Sequence, residues 1–572
     1  MNRYLAIIGA FISGILIYLA ALHAVPFLVW IALVPLFLIL DKHPGNPSSF
    51  LSTHNLSSLL SRRNPSSLPP GPTPLPFPSA RTRSSFLPAL VATTTFSIFA
   101  FAWMIPGAHA FTGASTGYGI IIFVVCVAAF SFGCATLLWF TPPALIAPVW
   151  ILAEMILQWA AEKMPWFLFH IGNGLASSLY AIQPMSVIGV AGAGFIVIEV
   201  NYLAALAIRR RSWKYAGAPM LLFICYMTWG WWLLPPAPSE ANSSTGQHPS
   251  FTLSILRENI PPEITWDQAN GPQLVQQLLQ QEDRCIAGHP QMILWAESAI
   301  PWTYSPDDDL VGELLRHSRP QSITHILGMN TAITANINTN IPTKINTNIS
   351  TGTAISTDTN PAASNISSGT DTTISANVVR NSAYCLLPDG KIAGRYDKRK
   401  PLLFIEQPGP GGWLIPFFSS GGYSVEPGDN DLPLTTPYGK AGVLICNESA
   451  LPSAAASRVR QGAQFLLNMS NDGWFRDTWL VTQHFYNTRL RAVETRKDIA
   501  VNSNNGWSGC IYASGRVDQA DRTGHADQVD TTATVFTIHP NNDRPIAVRY
   551  PLLPAYVCLF FLFTTIIKTK RL

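Results

Sequence analysis

The stretch "VLICNES", Val443 to Ser449, decides how the water-soluble half of this 572-residue chain is read. An apolar run ends in Cys446, and polar residues follow at once. A strand that is apolar at every position suits burial on both faces, as in a parallel sheet covered by helices. Cys446 would then stand at the carboxyl end of its strand, where ligand sites of α/β sheets lie. A cysteine there is, by itself, more often a small core residue, so the neighbouring elements have to decide.

Two other strand ends carry reactive types. "MILWAES" sets Glu297 after an apolar run, and "GRYDKRK" sets Lys398 after the second strand of a hairpin whose turn is Asp389-Gly390. A thiol attacks only once deprotonated. A carboxylate can take the proton as general base. An ammonium group lowers a thiol pKa and stabilises an oxyanion. A helix expected after Ser449 would add its positive end. Glutamate, lysine and cysteine at converging strand ends thus form a coherent set for acyl transfer through a thioester.

Further strand-like runs are "FTLSILREN", "SITHILGMN", "NSAYCLL", "QFLLNMS" and "IAVNSNNG". Helix-like stretches at 272–284, 450–461 and 478–496 fall between them. The alternation predicts an α/β domain over 236–550. A segment rich in Asn, Thr and Ser, 334–376, interrupts it and lacks the apolar side chains to offset its ordering entropy.

The rest of the chain differs. Overall it is 48% hydrophobic and only 12% charged, roughly half the usual charge fraction. Apolar runs at about 4–22, 25–40, 86–105, 118–140, 143–160, 185–207, 215–234 and 551–567 predict eight membrane spans. Seven fall in a membrane part over 1–235, which carries a Ser/Pro-rich loop at 43–85, and the last in 551–572. The first run has no small-residue cleavage site and leads directly into the second, so it reads as a span rather than a signal peptide. Lys42 and the arginines between spans two and three, "RRRSWK" at 209–214 and the closing "KTKRL" fall on one side of an eight-span chain. The positive-inside rule makes that side, with both termini, cytoplasmic and puts 236–550 on the outer side. No basic patch interleaved with aromatics suggests nucleic acid. The cysteines outside the apolar spans show neither a zinc spacing nor a paired pattern, and no cofactor or metal is expected.

The three reactive segments, in this order, resemble the nitrilase superfamily, which carries a Glu-Lys-Cys triad on an α-β-β-α sandwich. Joined to the membrane spans, the whole resembles the apolipoprotein N-acyltransferase family. "ENIPPEITWD", "WAESAIPW", "GRYDKRKPLLFIEQPGP", "VLICNES", "NMSNDGWF" and "TQHFYNTRLRAVETRK" carry the likeness, with "APVWILAEMILQW" and "MPWFLF" in the membrane part. The resemblance implies a multi-span helical part plus a nitrilase-like sandwich in a bacterial inner membrane. It implies Glu297 as base, Lys398 on the oxyanion, Cys446 as nucleophile and Glu406 as an assisting acid. Trp266, Asn447, Glu448 and Trp474 would contact substrate. The donor would be a phospholipid, the acceptor the N-terminal amine of a diacylglyceryl-cysteine lipoprotein, and the enzyme a monomer. Asn447 stands where the family usually has Tyr, Arg257-Glu258 where it has Gln-Gly, and the arginine expected after Glu154 is missing. A membrane-tethered hydrolase with water as acceptor, and a scaffold that binds lipoprotein, stay open as alternatives.

Overall fold

The computed structural model describes residues 3–40, 80–107, 116–211, 213–236, 249–333, 377–409, 423–522 and 534–571. The expected segment 334–376 and nearly all of the loop 43–85 lie outside these residues.

The first helices are α1 (Arg3–Leu22), α2 (Val34–Leu40), α3 (Ala80–Phe101), α4 (Thr116–Phe140), α5 (Ile146–Ala160), α6 (Met185–Arg210) and α7 (Trp213–Trp232). Helix α3 starts at Ala80, so the last residues of the expected Ser/Pro loop are helical. Among the described residues, five helices are long and apolar enough to cross a membrane, against the eight spans expected. They are α1, α4, α6 and the helices within Phe86–Gly107 and Pro143–Ala160. Helix α7 ends in the aromatic run "WGWW", which suits an interface more than a hydrocarbon core.

The second expected span is not one helix. After a 3-10 turn at Leu28–Trp30, helix α2 begins only at Val34, with Pro35 in its first turn, where proline is tolerated. The broken backbone is paired by two buried side chains. Asn201 of α6 donates to Val29 O (2.9 Å) and accepts from Leu33 N–H (2.9 Å), and Ser13 donates to Ala32 O (2.6 Å). Irregular backbone survives at membrane depth only where protein satisfies it in this way. Residues 28–40 still return alongside α1, since a Cβ on Gly9 would meet Ile39 at 3.2 Å.

The soluble part is two stacked sheets. The strands are β1 (Phe251–Ile255), β2 (Met292–Leu294), β3 (Thr324–Ala332), β4 (Asn377–Leu386), β5 (Ile392–Asp397), β6 (Tyr423–Val425), β7 (Leu434–Thr436), β8 (Gly439–Ile445), β9 (Phe465–Asn471), β10 (Ile499–Asn504), β11 (Trp507–Ile511), β12 (Val517–Arg522) and β13 (Val535–Ile538). One sheet has the order β13-β1-β2-β3-β4-β5, with β6 on β4, and the other β12-β11-β10-β9-β8-β7. Strands β1, β2 and β3 are parallel, as are β8, β9 and β10. The expected hairpin is the antiparallel pair β4–β5, with Gly390 at φ 86° in its turn.

Alternation explains the apolar runs. Val443 and Ile445 meet Leu253, Met292 and Leu294 between the sheets. Leu444 points the other way, onto α10 (Pro452–Arg460) and α11 (Trp479–Thr495). Ile293 and Trp295 likewise pack under α8 (Gly271–Ala287) and α9 (Asp309–Ser318). Each such aliphatic side chain contributes about 1.5–3 kcal/mol by leaving water. The layers are therefore α-β-β-α, as expected. Helix α9 and the outer strands β11–β13 were not among the expected elements, although Leu310, Val311, Leu314 and Leu315 give α9 a helical apolar face.

The sandwich is fastened to one end of the membrane helices. Glu494 of α11 accepts Val190 N–H at the start of α6 (2.7 Å). Arg496 donates to Gln183, Ser186 and Leu233 O. Leu22, at the end of α1, and Phe96 and Ala100 of α3 cluster with Trp479. A last helix, α12 (Leu553–Arg571), leaves the sandwich and ends in basic residues. The basic end of α6, Arg209–Arg210, is likewise remote from the sandwich.

Candidate active site

Glu297 follows β2 on a segment that peels off its sheet. Trp295 N–H still bonds Ile326 O (3.0 Å), but Ala296 N–H is taken by the buried carboxyl of Glu258 (2.7 Å). Gly328 of β3 lets the segment lie close, since a Cβ there would fall 2.3 Å from Ala296 O. Glu297 is 8% exposed. Its Oε1 accepts from Asn381 Nδ2 (2.8 Å) and Lys398 Nζ (3.2 Å), and its Oε2 accepts Asn471 N–H (3.1 Å).

Lys398 follows β5 and is fully buried. Its ammonium lies between Glu297 and Glu406, 2.9 Å from Glu406 Oε2. Burial works against the charge, but Glu297, Glu406 and Cys446 together outweigh it and hold the lysine well above its ordinary pKa. Glu406 is fixed in turn by Leu402 N–H (2.7 Å).

Cys446 ends β8 at φ 51°, a left-handed conformation that few non-glycine residues adopt. A 3-10 turn, Cys446–Ala450, follows, and α10 starts only at Pro452. The expected helix end at the thiol is therefore a tight turn instead. The thiol is pushed well above its ordinary pKa, first by burial and then by Glu297, with Lys398 opposing and Asp472 and Glu406 adding to the rise. Lys398 does pull the thiol down, as expected, but one ammonium is outweighed by burial and three carboxylates. The resting group is a thiol, and Glu297 is placed to remove its proton.

The structure thus brings Glu297, Lys398, Glu406 and Cys446 into one electrostatic cluster. It gives Glu448 another position. That carboxylate is wholly buried and accepts from Tyr396 OH, Arg399 N–H and Ile445 N–H (each 2.9 Å) and from Arg458 Nη2 (3.3 Å). Its oxygens are taken up by these protein donors, so Glu448 holds the nucleophile turn. Asn447 donates to Lys400 O (2.8 Å), while its buried Oδ1 has no partner among the described residues. Trp266 packs edge-to-face on Trp302 at 5.2 Å, in the layer under α8 and α9. Trp474 is half-buried in the turn Gly473–Phe475, which meets the membrane helices through Phe475 and Trp103 (6.1 Å).

Four contributors had no assigned role in the sequence. Asn381 orients Glu297, and Glu258 anchors the segment before it. His484 Nε2 reaches Cys446 O (2.8 Å), and its Nδ1 meets Asp472 Oδ1 (2.8 Å). Burial would lower the His484 pKa, but Asp472 reverses this and raises it, so the imidazolium donates at both nitrogens. Both residues stand in "NMSNDGWF" and "TQHF", where a histidine a few residues past an acidic strand end was the available signal.

A Glu-Lys-Cys cluster at the strand ends of such a sandwich, its glutamate and lysine buried and its cysteine partly exposed, points to the carbon-nitrogen hydrolase class. The family model described as Carbon-nitrogen hydrolase matches residues 256–530, and the Apolipoprotein N-acyltransferase N-terminal domain matches 69–203. Together these two matches make the chain similar to apolipoprotein N-acyltransferases. It is 24% identical to an apolipoprotein N-acyltransferase of Geobacter metallireducens over 380 residues, 64% of each chain. The aligned part thus spans a little under two thirds of that relative. A Synechocystis protein of the same name is 37% identical over 139 residues, 24% of this chain and 27% of its own. The chain also overlaps Saccharomyces cerevisiae Nit3, a nitrilase-superfamily member, at 14% identity and a TM-score of 0.33, covering 55% of this chain and 97% of that one.

Proposed function

We propose that the protein is an N-acyltransferase that moves a fatty acyl group from a phospholipid to the N-terminal amine of a diacylglyceryl-cysteine lipoprotein, through a thioester on Cys446. The observation that carries this reading is the Glu297–Lys398–Glu406 network beside the Cys446 turn, fastened over one end of the membrane helices. Glu297 takes the thiol proton as Sγ attacks the ester carbonyl. Lys398 stabilises the tetrahedral oxyanion. The ester C–O bond then breaks, and Glu297 returns the proton to the departing lysophospholipid oxygen. The acceptor amine attacks the thioester, its proton passes to Glu297, and the thiol is restored. Burial of the thioester keeps water from competing with the amine.

Both substrates are held in a membrane, which fits a thiol seated just above the helices. The basic helix ends remote from the sandwich favour a cytoplasmic face there and a periplasmic catalytic domain. The test is incubation of the full-length protein with phospholipid and a diacylated lipopeptide, followed by mass spectrometry. An acyl adduct on Cys446 that passes to the lipopeptide amine is expected. An adduct that only hydrolyses overturns the acyltransferase reading in favour of a hydrolase.

A further inference from the structure

Below the nucleophile turn, the membrane part holds a polar pair that the chemistry above does not use. Glu154 of α5 and His170, in the loop after it, are 8% and 3% exposed. Glu154 Oε1 accepts Trp150 Nε1–H (2.6 Å) and Ile171 N–H (3.1 Å), and Oε2 faces His170 Nδ1 (3.2 Å). An ionised carboxylate only accepts, so the ring nitrogen facing it carries a proton. The other, Nε2, is buried and has no hydrogen-bond partner among the described residues.

That nitrogen belongs to a cavity. His170 and Glu154 line a space of about 410 Å³ together with Phe130, Cys134, Trp150 and Phe169. The last four also line a second space of about 740 Å³ that continues among apolar side chains such as Leu36 and Leu138. The two spaces share these four walls, so they adjoin as a slot with its polar end at His170 and Glu154. Leu168, beside His170, packs on Leu444 and Leu451, so the polar end lies under the strand that carries Cys446. Leu157 of α5 lines the slot and is 36% exposed, which gives access from the side. A polar nitrogen left unpaired at membrane depth is costly, and such groups mark functional sites.

We propose that this slot binds a lysophospholipid, with its free glycerol hydroxyl on His170 Nε2 and its single chain in the apolar cavity. A hydroxyl both donates and accepts, so it pairs with the ring nitrogen in either protonation state. An ester oxygen has no proton to give. The ligand's source rests on the acyl transfer proposed above, which releases a lysophospholipid one packing layer away.

The test uses the full-length protein in dioleoyl phosphatidylcholine nanodiscs and a lysophosphatidylethanolamine with a diazirine on its chain. Labelling is expected on peptides around Phe130–Cys134 and Trp150–Leu157. His170→Phe should lower it about three- to tenfold, the value of one hydrogen bond. Cys134→Phe, which fills the slot and leaves the Glu154–His170 pair, should lower it as well, and so should methylation of the probe's hydroxyl. Labelling that survives either variant or the methylated probe overturns the proposal, as does equal labelling by a two-chain probe. The Cys446→Ala protein, which forms no thioester, should label like wild type. That arm separates failure of the slot from failure of the acyltransferase reading.

Discussion

Replacing Glu448 by Gln separates a structural carboxylate from a substrate contact. Glu448 is wholly buried, and its two oxygens receive Ile445 N–H, Arg399 N–H, the Tyr396 hydroxyl and Arg458. In Glu448→Gln one oxygen becomes an NH2 group facing a backbone N–H, so a donor meets a donor. Arg458, also buried, keeps only the partly exposed Asp431 as counter-charge. Breaking one side of a buried ion pair costs about 3–5 kcal/mol, and the surviving Asp431 contact puts the expected loss near the lower end, about 3 kcal/mol. For a part of this size that lowers the melting temperature by on the order of 5–10 °C. The turn that holds Cys446 at φ 51° loses its clamp at Ile445, so acyl-adduct formation should fall with it. The assay is thermal unfolding of the detergent-solubilised protein by intrinsic fluorescence, paired with formation of acylated lipopeptide against lipopeptide concentration. An unchanged melting temperature with a raised KM for the lipopeptide would refute the structural role and restore Glu448 to the substrate wall.

Two further substitutions probe the residues that support the triad. Burial pushes Glu258 up to about 8, with Ala296 N–H opposing; the acid is therefore protonated in the fold where the unfolded chain has already ionised. Stability is lost as pH rises from the ordinary carboxylate range toward 8, by up to about 1.4 kcal/mol per pH unit. Glu258→Gln should flatten that decline over pH 5–8 in melting-temperature scans, and parallel curves for the two proteins would contradict the argument. Asp472→Asn removes the charge that keeps His484 protonated. A charged donor on Cys446 O becomes a neutral one, and adduct formation should drop about tenfold. Its fall with rising pH should set in at lower pH in the variant than in wild type, because burial lowers the histidine once Asp472 no longer opposes it; identical pH profiles would count against this role.

What the sequence made legible was what local burial dictates. Strands β2, β8, β9 and β10 are apolar at successive positions because they lie between a facing sheet and a helix layer, and that pattern needs no knowledge of partners. The hairpin was legible because Asp389-Gly390 supplies the positive φ its turn requires. Partners distant in the chain were not legible. Residues 25–40 read as a span because hydropathy counts side chains, whereas the break is stabilised by Ser13 and by Asn201, some 170 residues away, which take over the backbone pairing of Val29 and Leu33. Glu448 read as a substrate contact because it follows the nucleophile, yet Arg458 and Tyr396 turn it into a core ion pair. The thiol shows the same limit in its electrostatics. Lys398 alone argues for a depressed pKa, but Asp472 and Glu406 also face Cys446, so the balance depends on groups that only folding assembles. Residue types and strand ends therefore point to the chemistry, while the protonation state from which it starts is a property of the packed site.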